Sequence, residues 1–275
     1  MLITVLGKAV ATGTNQFVFD NGDSTVLEVT NWNINSKSDG QRSVDLSSYF
    51  NDQVTQIFKN KYLAPRPAGP TLQLPWQGIG DWPHALEMAD IDDAGLRKLA
   101  GSSNMLTLPQ GISFSTPGEP GKRNILFTSQ WDNYPSVTEV PLHGKAAHAY
   151  FLMAGSTNHM QSQFDNGKII VTYTDQSTDE LILRNPETWW PIQEDYYTDG
   201  FAFDLKKPRP PRLHLKTGFL DRGEHINDQD HQMIDGGAAT VLDLPLDPAK
   251  TLKSLKLVTL ANDVVIGLMS VTLKQ

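Results

Sequence analysis

Trp189 and Trp190 stand side by side in the stretch Asn185-Pro186-Glu187-Thr188-Trp189-Trp190-Pro191-Ile192-Gln193-Glu194-Asp195-Tyr196-Tyr197. Indoles, phenols and carboxylates crowd into one short span that Pro186 and Pro191 interrupt. Proline excludes a regular helix and breaks a central strand, so the segment reads as a rigid loop or strand end. Large aromatic faces beside acids are the chemistry that grips a sugar ring, with the C–H face stacking and the hydroxyls hydrogen-bonded. The competing reading, favoured by residue physics alone, has both indoles sealing the end of a β-core and the acids solvated.

A second cluster, Trp131-Asp132-Asn133-Tyr134-Pro135, follows the apolar run Ile125–Thr128. An aromatic–acid–amide–aromatic series at a strand end offers one ligand a stacking face with donors and acceptors. A turn whose Asp132 and Asn133 bond their own backbone, with Trp131 packed inward, is the heavier alternative. Arg97, Arg184 and Arg212 could read the carboxylate of an acidic sugar bidentately, although structural ion pairs fit an acid-rich chain better. The expected ligand-binding set is therefore Trp131, Asp132, Asn133, Tyr134, Arg184, Trp189, Trp190 and Glu194.

Catalytic signatures are weaker. The sequence contains no Gly-x-Ser-x-Gly elbow, no Gly-x-x-x-x-Gly-Lys phosphate loop and no dinucleotide fingerprint. Glycoside hydrolysis needs two facing carboxyl groups, for which Asp132, Glu187, Glu194 and Asp195 are the candidates. His148 on an apolar run reads as a structural residue, and His143 and His159 as surface or loop residues. In Glu224–His231, Asp228 and Asp230 could join a calcium site, or His225 and His231 a transition-metal site. The spacing fits no closed motif, so a solvated loop is expected and no cofactor is predicted.

The elements that must position these groups are mostly strands. Short β-rich runs lie between glycines (21) and prolines (17). They fall at Leu2–Leu6, Gln16–Phe19, Thr25–Thr30, Ile125–Thr128, Ala147–Met153, Lys168–Thr174, Asp179–Leu183, Phe201–Leu205, Arg212–Lys216, Ala238–Leu242, Leu252–Leu260 and Val264–Thr272. Asp20-Asn21-Gly22-Asp23 and Asp165-Asn166-Gly167 carry hairpin-turn signals. Lys168–Thr174 and Asp179–Leu183, joined by the polar Thr174–Thr178, make the clearest hairpin. Val44–Tyr62 is the main helical candidate, from Val54, Ile57 and Phe58 with Asn51 or Asp52 as N-cap, and Ile91–Leu99 holds one short turn. The pattern predicts an all-β antiparallel sandwich, jelly-roll or galactose-binding-like, with one or two short helices. Residues 1–275 read as a single large β-sandwich region. A proline-rich excursion at about 65–121, with Trp76 and Trp82, looks like an inserted binding loop.

Composition bounds the class. The 275 residues suffice for a substantial core without staples. The absence of cysteine excludes disulfides and thiolate chemistry without fixing a compartment. A net charge of -8 argues against a nucleic-acid backbone as partner. No apolar run approaches the roughly 20 residues of a membrane span, so no membrane insertion is expected. Residues 1–10 do not read as a secretory signal, and residues 1–6 resemble a strand already under way, as in a part of a longer chain.

Taken together, several stretches resemble an uncharacterised β-sandwich domain family at the C-terminal end of predicted glycoside hydrolases of gut and environmental Bacteroidetes. They are Tyr62–Pro67, Leu72–Pro75 with Gln77–Gly80, Asp92–Arg97, Trp131–Pro135, Ala154–Asn158, Arg184–Ile192, Pro208–Arg212 and Gly236–Pro245. The resemblance covers most of residues 40–275. It implies a periplasmic or extracellular module of a longer precursor, preceded by a helical toroid for which this chain has no room. It transfers no site residues. The expected function is therefore accessory: binding an oligo- or polysaccharide, docking a catalytic domain of a parent enzyme, or both. A self-contained glycoside hydrolase or polysaccharide lyase and a purely structural module are the alternatives.

Overall fold

The computed structural model describes residues 13–18, 24–29, 40–60, 62, 89–157, 162–195, 209–222, 232–262 and 264–275. In chain order its elements begin with β1 (Gly13–Val18), β2 (Ser24–Val29) and β3 (Gln41–Ser43), followed by the helix α1 (Ala94–Ala100). Short strands β4 (Met105–Thr107), β5 (Ser113–Ser115), β6 (Leu126–Ser129) and β7 (Val137–Pro141) come next. The long strands β8 (His148–Ser156), β9 (Asp165–Tyr173) and β10 (Thr178–Arg184) follow. Then come β11 (Glu194–Asp195), β12 (Arg212–His214), β13 (Leu220–Asp221) and β14 (Gln232–Met233). The chain closes with β15 (Ala238–Pro245), β16 (Leu252–Thr259) and β17 (Val265–Lys274).

Two antiparallel sheets form the body, as an all-β sandwich-like fold. The larger runs β13-β12-β15-β8-β17-β3, with β6 also on β17, and the smaller runs β10-β9-β16-β7. Between them lies a core built from Phe151 and Met153 of β8, Leu242 of β15, Ile169 and Val171 of β9, and Leu255 and Leu257 of β16. The large sheet is also covered on its other face, where Leu152, Val241 and Leu213 meet Ile57, Leu96 and Phe114. Burial on both faces explains why β8 reads as an unbroken apolar run rather than an alternating one. In β17, Ile266 and Leu268 face the inter-sheet core, and so do Val271 and Leu273. A bulge between Leu268 and Ser270 supplies the change of phase.

The hairpin expected from Lys168–Thr174 and Asp179–Leu183 is present as β9–β10, in register from Thr178↔Thr172 to Leu183↔Gly167, with a bulge before Arg184↔Asp165. Its turn places Gln176 at φ 69, and the Asp175 carboxylate accepts from the Ser177 amide at 2.9 Å. By contrast, Asp165-Asn166-Gly167 is no turn, because it opens β9. Gly167 is there for space, since a Cβ would meet the Ile266 side chain and lie 2.5 Å from the Val258 carbonyl oxygen. β1 and β2 pair directly, while their connecting Asp20–Asp23 lies outside the described residues, as do Leu2–Leu6 and Phe201–Leu205.

The helix expected over Val44–Tyr62 does not form; Val54–Gln56 makes a single 3-10 turn. Tertiary hydrogen bonds take the backbone instead. Asn51 brackets Phe127, donating from Nδ2 to its carbonyl and accepting from its amide, both at 2.8 Å. The Val54 amide donates to Asn124 Oδ1 at 3.0 Å. Residues 89–121 of the proline-rich excursion are packed into the fold. They hold α1, β4 and β5 and bury Ile91, Leu96, Leu106, Ile112 and Phe114. Trp76 and Trp82 lie outside the described residues.

Candidate functional site at one end of the smaller sheet

The register of the smaller sheet carries two of the expected segments to the same end. Arg184 ends β10, Asp165 opens β9 opposite it, Thr259 ends β16 and Val137 opens β7. Four strands span about 14 Å at ordinary strand spacing. Just before β7, Ser129–Ser136 line an open cleft of about 390 Å³. That volume falls within the roughly 300–1,000 Å³ of small-molecule sites.

The cleft wall is held from below. Ser129 Oγ accepts from the Trp131 amide at 3.1 Å, and the Ser129 amide donates to the Pro135 carbonyl at 3.1 Å. Gln130 Nε2 donates to the Thr259 carbonyl at 2.7 Å, which ties the loop to the end of β16. Trp131 and Tyr134 are both buried and pack against Tyr62, with ring centroids 6.0 and 6.2 Å apart. The Tyr134 hydroxyl donates to Asp52 Oδ2 at 2.6 Å, and Asn60 Nδ2 donates to the same carboxylate oxygen at 2.8 Å. Burial, and then the neighbouring Tyr62 and Asp52, push the Tyr134 phenol far above its ordinary value, so it stays a neutral donor. With both rings anchored inward, Gln130, Asp132 and Asn133 are left exposed at the cleft. This cluster keeps its inward-packed Trp131 and an outward acid–amide pair, so its rings serve as anchors and not as stacking faces.

Trp189 and Trp190 require a correction of orientation. They are 0% and 1% exposed, so neither presents a face to solvent. Trp189 belongs to the inter-sheet core. The loop is rigid as expected: the Thr188 and Trp189 amides both donate to the Arg184 carbonyl, at 2.9 and 3.0 Å. The Ile192 amide donates to the Gly155 carbonyl on β8 at 2.7 Å. That pinning carries the Trp189 indole into the inter-sheet core. Arg184 stays half-exposed, its Nε and Nη2 both on Asp165 Oδ1 at 2.8 and 2.6 Å.

Glu194 is also buried, at 1% exposure, and belongs to a different constellation. It sits on β11 beside Asp195, whose carboxylate lies 3.6 Å from Arg209 and 3.8 Å from Arg212. Arg209 further pairs with Asp221 at 2.5 Å, and Arg212 donates to the Pro191 carbonyl at 2.6 Å. Both guanidinium groups are wholly buried and form an ion-pair network with Asp195 and Asp221. Arg97 is likewise structural: it pairs with Asp93 at 2.9 Å and donates to the Lys122 carbonyl at 2.9 Å. His148 stacks on Tyr150 at 5.7 Å, and burial, with Lys274 nearby, holds its imidazole below the ordinary range.

Among the described residues no group of three or more His, Asp or Glu is placed to hold a metal ion; His225, Asp228, Asp230 and His231 lie outside them. No described helix is long and apolar enough to cross a membrane. Sequence reasoning missed Gln130, Asp52 and Asn60, the groups that fix the cleft. Gln130 adjoins Trp131 in sequence, whereas nothing local marks Asp52 and Asn60. No family model matches the chain, and no curated protein matches it.

Proposed function

We propose that this chain is a carbohydrate-binding β-sandwich module, of the kind that accompanies bacterial glycoside hydrolases, and that its saccharide site is the Ser129–Ser136 cleft. The observation that carries the reading is the exposed Gln130, Asp132 and Asn133 on a loop clamped by buried Trp131 and Tyr134. A preorganised carboxylate and two amides supply both acceptors and donors, which is what vicinal sugar hydroxyls demand. Binding is favoured over hydrolysis because, among the described residues lining the cleft, Asp132 is the one carboxylate, and glycosidases of the common type need two. The resemblance of Arg184–Ile192 and Trp131–Pro135 to modules of predicted glycoside hydrolases supports the same class. A parent catalytic domain, and a periplasmic or extracellular location, belong to this proposal.

The test is titration of plant and host polysaccharides against the wild type and Asp132→Ala. Loss of a charge-assisted hydrogen bond is worth about 1.5–3 kcal/mol, or roughly ten- to a hundredfold in affinity. Equal affinity of the two proteins for every bound glycan would remove the cleft from the account.

A further inference from the structure

Phe164 is the most exposed large apolar side chain among the described residues, at 64%, and it stands at the same sheet end as the cleft. It directly precedes Asp165, the partner of Arg184. Leu260, 46% exposed, follows the last residue of β16. A continuous run of hydrogen bonds links these residues to the cleft. Gln130 Nε2 donates to the Thr259 carbonyl at 2.7 Å, and the Thr259 amide donates to the Ser136 carbonyl at 2.9 Å. The Leu260 amide donates to the Asn166 carbonyl at 2.9 Å, and Asn166 Nδ2 donates to the Phe164 carbonyl at 3.0 Å. Phe164 therefore does not hang on a separate loop; its backbone is part of the same bonded ridge as Gln130.

The bonded ridge carries an exposed aromatic, with the acid–amide cleft at one side and an arginine–carboxylate pair at the other. The pieces match the two chemistries of a sugar chain: C–H faces for Phe164 and Leu260, hydroxyls for Asp132, Asn133 and the Arg184–Asp165 pair. Because Arg184 is already neutralised by Asp165, the surface favours uncharged sugars over uronates. Its width of about 14 Å, the three gaps between four strands, exceeds one sugar ring.

Resting on the reading of the cleft as a saccharide site, we infer that Phe164 is the stacking platform of that site and that the ligand is a neutral oligosaccharide laid across the sheet end from Asp132 towards Arg184. The stacking role expected of Trp189 and Trp190 passes to this phenylalanine.

The experiment is isothermal titration of wild type, Phe164→Ala, Phe164→Tyr and Asp132→Ala with the disaccharide and hexasaccharide of the cello-, xylo- and manno- series. The hexasaccharide that binds wild type should bind Phe164→Ala about three- to tenfold more weakly, the scale of one aromatic contact. Phe164→Tyr should bind it as wild type does, and its disaccharide should be affected less than the hexasaccharide by Phe164→Ala. If Asp132→Ala weakens binding while Phe164→Ala does not, the platform is wrong and the cleft stands. If Phe164→Ala and Asp132→Ala both bind as wild type, or no neutral hexasaccharide binds wild type, both this inference and the cleft reading fall.

Discussion

The indole of Trp189 occupies the space that a side chain on Gly155 would need: a Cβ there would lie 2.8 Å from Cζ2 of the ring. This pairing settles which way the Trp189-Trp190 loop faces. The backbone bond from Ile192 to Gly155 brings the loop onto β8, and the missing side chain lets the indole in. Gly155→Ala should therefore destabilise the fold by about 2 kcal/mol or more, through overpacking against ring and backbone. Trp189→Ala should cost about 3–5 kcal/mol by leaving a cavity. Urea midpoints of the two variants measure both, and an unchanged midpoint for either would refute the packing described.

Tyr134 anchors the cleft loop. Tyr134→Phe removes one of the two donors to Asp52 Oδ2 and should lower stability by about 2 kcal/mol. The ring remains against Tyr62 and Phe127, so the fold should persist. Denaturation by urea gives the number. Asn60→Ala should weaken the same point, and the two changes should not add, since Asn60 Nδ2 also donates to the Tyr134 hydroxyl at 2.7 Å and either change breaks that bond.

Much of the strand framework is legible in the chain because its signals are local. β9 and β10 alternate in burial and are joined by a polar turn, and β8 is a long apolar run. What failed depended on partners distant in sequence. The three- and four-residue spacing of Val54, Ile57 and Phe58 mimics a helix, yet Asn51 and Asn124 redirect that backbone to β6 and its approach. Asn166-Gly167 carries a turn signal, but Gly167 is required by Ile266 and Val258 across the sheets. Residue type told of the aromatics near a strand end; it could not tell inside from outside, because that is decided by Gly155 on another strand. Asp132 and Asn133 were legible as a polar pair after an apolar run, and their supports, Asp52 and Asn60, were not.

Alkaline pH should loosen the large sheet. Burial, with Asp243 nearby, pushes the Tyr150 phenol up to about 12 from an ordinary value near 10. The folded state then holds its proton more tightly than the unfolded chain does. This contribution to stability is full below pH 10 and is lost as pH rises through about 12. Phenolate absorbance followed alongside unfolding should show Tyr150 ionising above the exposed phenols, and Tyr150→Phe should flatten the loss of stability across that window. A stability that is level between pH 10 and 12 in the wild type would contradict the shift.

The Arg209 network should behave as a buried structural pair. Arg209→Met leaves Asp221 with its 2.5 Å counter-charge removed, for an expected loss of about 3–5 kcal/mol. Saccharide affinity measured on the folded fraction should be unchanged, because Arg209 does not line the cleft. A fall in affinity without a fall in stability would move the functional site to β11–β13.

Heteronuclear NMR reads directly where a sugar touches the protein. The chain should be labelled and titrated with the tightest-binding oligosaccharide of the panel. Amide shifts are predicted on Gln130–Ser136 and on Phe164, Asp165 and Leu260, with the side-chain signals of Gln130 and Asn133 among the largest, while Glu194, Arg209 and Asp221 stay still. Shifts centred on β11–β13 instead, or no shifts with any saccharide, would contradict the cleft as the site.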